Sequence, residues 1–526
     1  MTRSHAGHYR SSLAIHPAPS HFLLHALAST KAAPPILPAG TTADRRVRTE
    51  QARSLRRALL TVERRAVIAP SYRFTLPKRT TTQHRETEIP HMSTIRTRRL
   101  RTALVVPAMI TTAALVLVGC GARAGDTAEP AASGSAASES CVDTSGDTIK
   151  LGFLNSLTGG MAISEQTVSN VLHMAADEIN ADGGILGKEI EYIQEDGATD
   201  WPTFAEKTEK LLTQDCVGAI FGGWTSSSRK AVKPVVEEHN GLFFYPVQYE
   251  GLESSPNIYY TGATTNQQII PALDFLAAEG VETLFLAGSD YVFPRTANAI
   301  IKLYAAELGI EIVGEEYVPL DKDDWTTQVA KIVAADPDYV FNTINGSSNV
   351  GFVKAYYDAG LTPETTPIIS VSIAEEEAPA MGHEVTGNYA SWNYFQSMDT
   401  PNNPAFIERW QAYPGSSGVT SDPMEAAYIS LYLYKALVEA AGSFDVDAIN
   451  AAALENEITV DAPEGVVTLN GENHHISKPG NIGRINEDNQ FDIVWSSDGF
   501  IEPDPYLEQY EWFPADVRDA LVAAAG

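Results

Sequence analysis

Ring faces and short hydroxyls crowd together in GGWTSSSRKAVKPVVEEHNGLFFYPVQYEG, residues 222–251. Trp224, Ser226 and Ser227 lead into a helical run, and Tyr245, Val247, Gln248 and Tyr249 end and follow a short apolar strand. Such residues suit the holding of a small planar polar molecule, with rings against its faces and hydrogen bonds around its edge. Ser226 falls where a helix N-cap is expected, and the free N–H groups of that first turn offer partial positive charge to a carbonyl oxygen or carboxylate. The plainer alternative is that Ser226 caps its own helix. Asp290, Tyr291, Asn345, Glu375 and Glu376 occupy later segments that also follow apolar runs. Tyr291 would add a ring, Asn345 an amide, and the carboxylates acceptors for N–H groups. Core packing is the competing reading for the tyrosines, and simple solvation for the carboxylates.

Catalysis is not signalled. The sequence contains no G-x-S-x-G, G-x-x-x-x-G-K-[ST], H-E-x-x-H or G-x-G-x-x-G. GGILGK at 183–188 has the wrong spacing for a phosphate loop and reads as a turn, and His474-His475 has no cysteine near it. No catalytic residue, metal site or cofactor is expected.

The elements that must position these residues alternate in type. TIKLGFLN, EIEYIQED, VGAIFGG and LFFYP read as short strands, separated by helical EQTVSNVLHMAADEINADGG, PTFAEKTEKLLTQD and SSRKAVKPVVEEHNG. After NIYYTGATTNQQ the alternation restarts with TLFLAG, IEIVGEEYVP, YVFNTI and PIISV. Two βα series predict two lobes, each around a doubly wound parallel sheet, with ligands beyond the carboxyl ends of the strands. The first lobe is expected to take 147–264 and 395–468, the second 265–394 and 469–514, and a C-terminal tail 515–526. PAFIERWQAY and DPMEAAYISLYLYKALVEAAG read as helices returning to the first lobe, and VVTLNGENHHISKPGNIGRINEDNQFDIVW as a hairpin-rich finish.

Upstream, residues 92–120 read MSTIRTRRLRTALVVPAMITTAALVLVGC: a basic cluster, an apolar run, then Cys120. That is the layout of a secretory signal. The ending LVGC resembles a lipobox, which implies cleavage before Cys120, lipidation of its thiol and anchorage to the outer face of the cytoplasmic membrane. A single transmembrane anchor is the alternative. Residues 1–91 precede the signal and read as a mis-called or disordered extension, 92–119 as the signal peptide, and 120–146 as the lipidated cysteine with an Ala, Ser and Gly-rich tether. The chain carries a net charge of −30, concentrated after the basic first 119 residues, which argues against nucleic-acid binding. Cys141 and Cys216 each precede a strand expected to neighbour the other, so in an oxidising compartment they form a disulfide or remain two buried thiols.

Eight phrases then carry a resemblance. GFLNSLTGGMAISE, INADGGILGKEIE, EDGATDWPTFAEK, GGWTSSSRKAVKPVVE, LFFYPVQYEGLESSPNIYYTGA, GSDYVFPR, DAPEGVVTLNGENHH and IEPDPY occur in order between about 147 and 514. Together they resemble the urea-type substrate-binding proteins of ABC transporters, relatives of short-chain amide sensors and branched-chain amino-acid binders. The resemblance implies the type I periplasmic-binding-protein fold, two lobes closing about a hinge on a small molecule, and permease subunits as partners. It implies urea as ligand, with short-chain amides, branched-chain amino acids or an amide-sensing role as alternatives. From the amide sensors it implies contacts by Trp224, Ser226, Tyr245, Val247 and Tyr291, with Trp224 and Val247 standing where the sensors carry tyrosine and threonine.

Overall fold

A computed structural model describes residues 141–525; the expected signal peptide, Cys120 and most of the tether lie outside them. Two sheets organise the described chain. The first runs β11-β12-β13-β5-β4-β3-β1-β2, from β1 (Thr148–Asn155), β2 (Glu189–Asp196), β3 (Ile220–Gly222), β4 (Phe243–Tyr245), β5 (Ile258–Tyr260), β11 (Thr459–Ala462), β12 (Gly465–Asn470) and β13 (His475–Ile476). The second runs β15-β14-β10-β9-β8-β6-β7, from β6 (Thr283–Ser289), β7 (Glu311–Val318), β8 (Tyr339–Thr343), β9 (Ile368–Ser370), β10 (Tyr389–Trp392), β14 (Lys478–Ile485) and β15 (Phe491–Ile501). The fold is the two-lobed type I architecture, each lobe a doubly wound parallel sheet finished by antiparallel strands.

Local sequence explains the elements. β1 is buried from Leu151 onward, as a central parallel strand covered on both faces must be. α1 (Ala162–Ala181) follows it; α2 (Trp201–Thr213) starts at Asp200, whose carboxylate accepts the Thr203 N–H at 2.9 Å, and buries Phe204, Thr208 and Leu211 along one stripe. α3 (Ser226–Glu238) follows β3, and the second lobe repeats the scheme with α4 (Ile269–Ala278), α5 (Val292–Leu308), α6 (Thr326–Ala335) and α7 (Ser348–Asp358). α8 (Asn403–Ala412) and α9 (Asp422–Ala441) follow β10, and α9 packs on α1, β3 and β4 of the first lobe. α10 (Val446–Glu455) completes that side, and the segment expected as a tail ends in α11 (Ala515–Ala525), docked on α5. Leu521 there joins a cluster with Leu252, Ile270, Ile300, Leu507 and Phe513.

A disulfide joins Cys141 to Cys216, with Cα atoms 5.3 Å apart. Its partners precede β1 and β3, which pair directly through Gly152↔Ile220.

The chain crosses between the sheets after β5, after β10 and between β13 and β14. The last crossing corrects an expected boundary: residues 469–476 were assigned to the second lobe, yet β13 pairs with β5 through His475↔Tyr260 and with the end of β12. Amide side chains tie the crossings together. Asn393 Nδ2 donates to Gln267 O at 3.0 Å and Pro479 O at 2.6 Å, Asn481 Nδ2 to Asn393 O at 2.6 Å, and Gln267 Nε2 to Ile476 O at 2.9 Å. Beside them Lys478 Nζ lies 2.8 Å from Glu464 and 3.7 Å from Glu425, all three side chains fully buried. Asp422, also buried, accepts the backbone N–H groups of Asn393 and Tyr394 at 3.0 and 2.9 Å.

Candidate functional site

In both sheets strand order reverses at one place, between β1 and β3 in the first and between β6 and β8 in the second. Ligands of open α/β sheets bind beyond the strand ends at such a switch point. The loops leaving β1 and β3 meet the loop leaving β8, and the loop after β4 meets the one after β9. Ser347 N donates to Gly160 O at 3.1 Å, Trp224 Nε1 to Asn345 Oδ1 at 3.3 Å, and Gln248 Nε2 to Val371 O at 2.9 Å. Ser164 Oγ donates to Glu377 from the opposite lobe. The cleft is closed.

The structure brings several sequence-predicted residues to its walls. Trp224 is buried at 2% exposure, and the Tyr245 hydroxyl donates to the Trp224 carbonyl, so the two rings are held by one loop-to-strand contact. Tyr291, just before α5, is 7% exposed. Burial pushes its phenol well above the usual range, and Tyr245, Glu250, Arg229 and Glu165 act on it, which sets it opposite the first-lobe wall. Val247 is buried. Gln248 spans the lobes through its amide nitrogen and leaves its carbonyl oxygen buried without a partner. Glu375 accepts Gln396 N at 2.8 Å through one oxygen, and its other oxygen is buried and unpartnered.

Three expectations change. The N-cap of α3 is Thr225, whose hydroxyl accepts Ser228 N at 3.0 Å, because the strand ends one residue earlier than the cap placement assumed. Ser226 instead donates to Glu250 and accepts from Arg229 Nη1 at 3.1 Å, so its hydroxyl is engaged inside the lobe. Ser227 is half-buried on the same turn. Tyr249 faces inward: it donates to Glu253 O at 2.9 Å, stacks on Tyr260 and His475, and carries the Arg229 guanidinium 4.4 Å above its ring. A desolvated arginine needs carboxylates and ring faces, and Glu250, Glu253, Tyr245 and Tyr249 provide them. Asp290 pairs with Arg295 at 2.7 Å and is 40% exposed, a surface ion pair. His474 and His475 stack on Tyr259 and Tyr260. Burial draws them down to about 4 and about 3, so both are neutral rungs of the core near pH 7.

Sequence reasoning missed Glu165 and Glu377, and pointed at Asn155 only through its place at a strand end. Glu165, on α1, is 1% exposed; one oxygen accepts Ser156 N at 2.7 Å and the other has no partner. Burial pushes its carboxyl up to about 7 against the pull of Ser156 and Asn155, with Asp196 adding repulsion. Asn155 is fully buried, and neither its amide oxygen nor its nitrogen has a hydrogen-bond partner within 3.5 Å. Both oxygens of Glu376 are likewise buried and unpartnered, its carboxyl raised to about 7 by burial and by Asp422 despite Ser421. A donor-rich molecule is what such acceptors lack. The strand-end rule pointed at Asn155, but an acidic residue on a helix carries no signal that a second lobe will close over it.

Gly222 shows how tightly Asn155 is placed. Its φ is +117°, and a Cβ there would lie 2.6 Å from Leu154 O and 2.7 Å from Asn155 Nδ2. Gly222→Ala is expected to cost about 1–3 kcal/mol and to weaken ligand binding by displacing that amide, checked by melting and titration together.

Two lobes meeting over buried hydrogen-bonding groups give the type I binding-protein architecture. The chain belongs to the periplasmic binding protein domain family, whose model matches residues 149–511. It is 23% identical over 339 residues to Leu/Ile/Val-binding protein homolog 6 of Brucella melitensis, covering 63% of this chain and 86% of that one. A solute-binding protein of an ABC transporter from R. palustris, in complex with 4-hydroxybenzoate, superposes with a TM-score of 0.61 at 23% identity, over 67% of this chain and 97% of that one. The leucine-binding protein of Thermotoga maritima does so with a TM-score of 0.60 at 18% identity, over 66% and 98%. The chain is thus a two-lobed member of the periplasmic binding protein family. Urea as the particular ligand gains no support from these relatives.

Proposed function

We propose that the cleft captures a short-chain amide, urea being the smallest molecule of that chemistry, and that the receptor is held at the membrane through a lipid on Cys120. The observation that carries the ligand class is the set of buried, unpartnered acceptors at Glu165, Glu376, Gln248 and Asn155. An amide supplies N–H donors to them, and Asn155 Nδ2 can donate to its carbonyl oxygen, while Trp224, Tyr245 and Tyr291 supply flat faces. A molecule of four non-hydrogen atoms binds with at most about −6 kcal/mol, a Kd of tens of micromolar. The second reading is a branched-chain amino acid, favoured by the names of the relatives; its ammonium would meet the same carboxylates.

Calorimetric titration of the purified protein with acetamide, urea and leucine separates these. Heat from acetamide or urea, lost by at least tenfold in affinity in Trp224→Ala, supports the amide reading. Heat from leucine alone overturns it in favour of the second. Cys120→Ser, followed by membrane fractionation, tests the anchor: release into the soluble fraction is expected.

A further inference from the structure

We infer that Glu165 and Asn155 form a specificity pair that admits planar amidinium and guanidinium cations to the cleft as well as neutral amides. This rests on the amide reading of the same site, but asks a separate question: which charge the ligand carries.

The geometry is that of a half-completed recognition unit. Glu165 holds one oxygen on the Ser156 N–H at 2.7 Å and leaves the other free in a space closed to solvent. Asn155, fully buried beside it, has no partner within 3.5 Å for either amide atom, and its amide is among the neighbours whose hydrogen bonding draws the Glu165 carboxyl down. Its amide turns to the open side of Gly222, where a Cβ would strike it. Carboxylates pair best with a planar fork of N–H groups, two of which reach oxygens while a third can reach an amide carbonyl. Guanidinium and acetamidinium present that fork; acetamide presents half of it together with a carbonyl for Asn155 Nδ2.

Charge points the same way. The charge prominent among the influences on Glu165 is Asp196, which repels it. Facing it are Asp196 from the end of β2, Tyr245 from β4 and Tyr291 before α5, while Glu377 holds the neighbouring Ser164. Arg229, the nearest buried cation of that lobe, is matched by Glu250 and Glu253. A carboxylate in such company is neutralised either by a proton or by a cationic ligand. Burial raises the Glu165 carboxyl to about 7; a cationic ligand holds it ionised, and a neutral amide does not. The ratio of cation to amide affinity therefore rises with pH through 7, by about tenfold between pH 6 and pH 8.

The test titrates the purified protein with guanidinium chloride, acetamidinium chloride and acetamide at pH 6 and pH 8, and repeats this with Glu165→Gln. The expected result is binding of all three, a cation-to-amide ratio rising about tenfold across that interval, and loss of both cation binding and the pH dependence in the variant. Acetamide binding without any heat from either cation would overturn the inference and leave the amide reading standing. Leucine binding with no response to acetamide would remove both. A ratio unaffected by pH in the unmodified protein would remove Glu165 as the selecting group, whether or not the variant folds.

Discussion

Exchanging Lys478 for methionine will destabilise the protein by about 3–5 kcal/mol. Among the described residues its ammonium is the one cation contacting Glu464 and Glu425, with Asp422 alongside, and all four groups are fully buried. Burial pushes the Glu464 carboxyl up to about 7 and raises Glu425 and Asp422, while Lys478 pulls each back down. Methionine keeps the volume and removes that pull. The pH signature follows from the direction of the shifts. Carboxylates raised in the folded state contribute full stability below their unfolded pKa near 4.5, and that contribution fades as pH rises through about 7. The loss in Lys478→Met should accordingly grow between pH 5 and pH 8. Scanning calorimetry is the right measurement, since urea and guanidinium are themselves proposed ligands. A loss below about 1 kcal/mol at pH 8 would show that the carboxylates do not depend on Lys478.

The second large effect concerns Cys141 and Cys216. Their bond closes a loop of sequence separation 75, for which chain-entropy arguments give about 4 kcal/mol. Replacing both by serine, or reducing the native protein, should lower the melting temperature of the first lobe by a corresponding amount. Equal melting of oxidised and reduced protein would overturn this, and would mean that β1 and β3 are held together in the unfolded chain by other contacts.

The lobes were legible because alternation of apolar runs with amphipathic segments is a long-range pattern that survives local ambiguity. The reversal of strand order then follows from two βα series, and with it the place of the cleft. Individual residues were harder. Tyr245 and Tyr249 look equivalent in YPVQY, yet Tyr245 holds the Trp224 loop while Tyr249 is drawn inward by Arg229, whose burial no sequence periodicity announces. Asp290 was expected at the site and Glu165 was not, for a related reason. Asp290 finds Arg295 five residues on, whereas Glu165, on α1, is buried beside Ser156, and the neighbouring Ser164 meets Glu377 of the other lobe. The boundary near 469 slipped because β12, β13 and β14 are successive short strands, and nothing in their alternation marks which sheet each one joins.

The pairing of β13 with β5 also sets a timetable for the folding of an exported chain. The exposed side of β5 stays unsatisfied until His475 arrives beside Tyr260, and the hinge cluster is incomplete until Lys478 follows. A polypeptide threaded outward from its N-terminus therefore cannot finish its first lobe while its final fifth is still inside the cell. Long-range pairing of this kind is slow to form. The first sheet is thus sealed by one of the last strands to leave the ribosome.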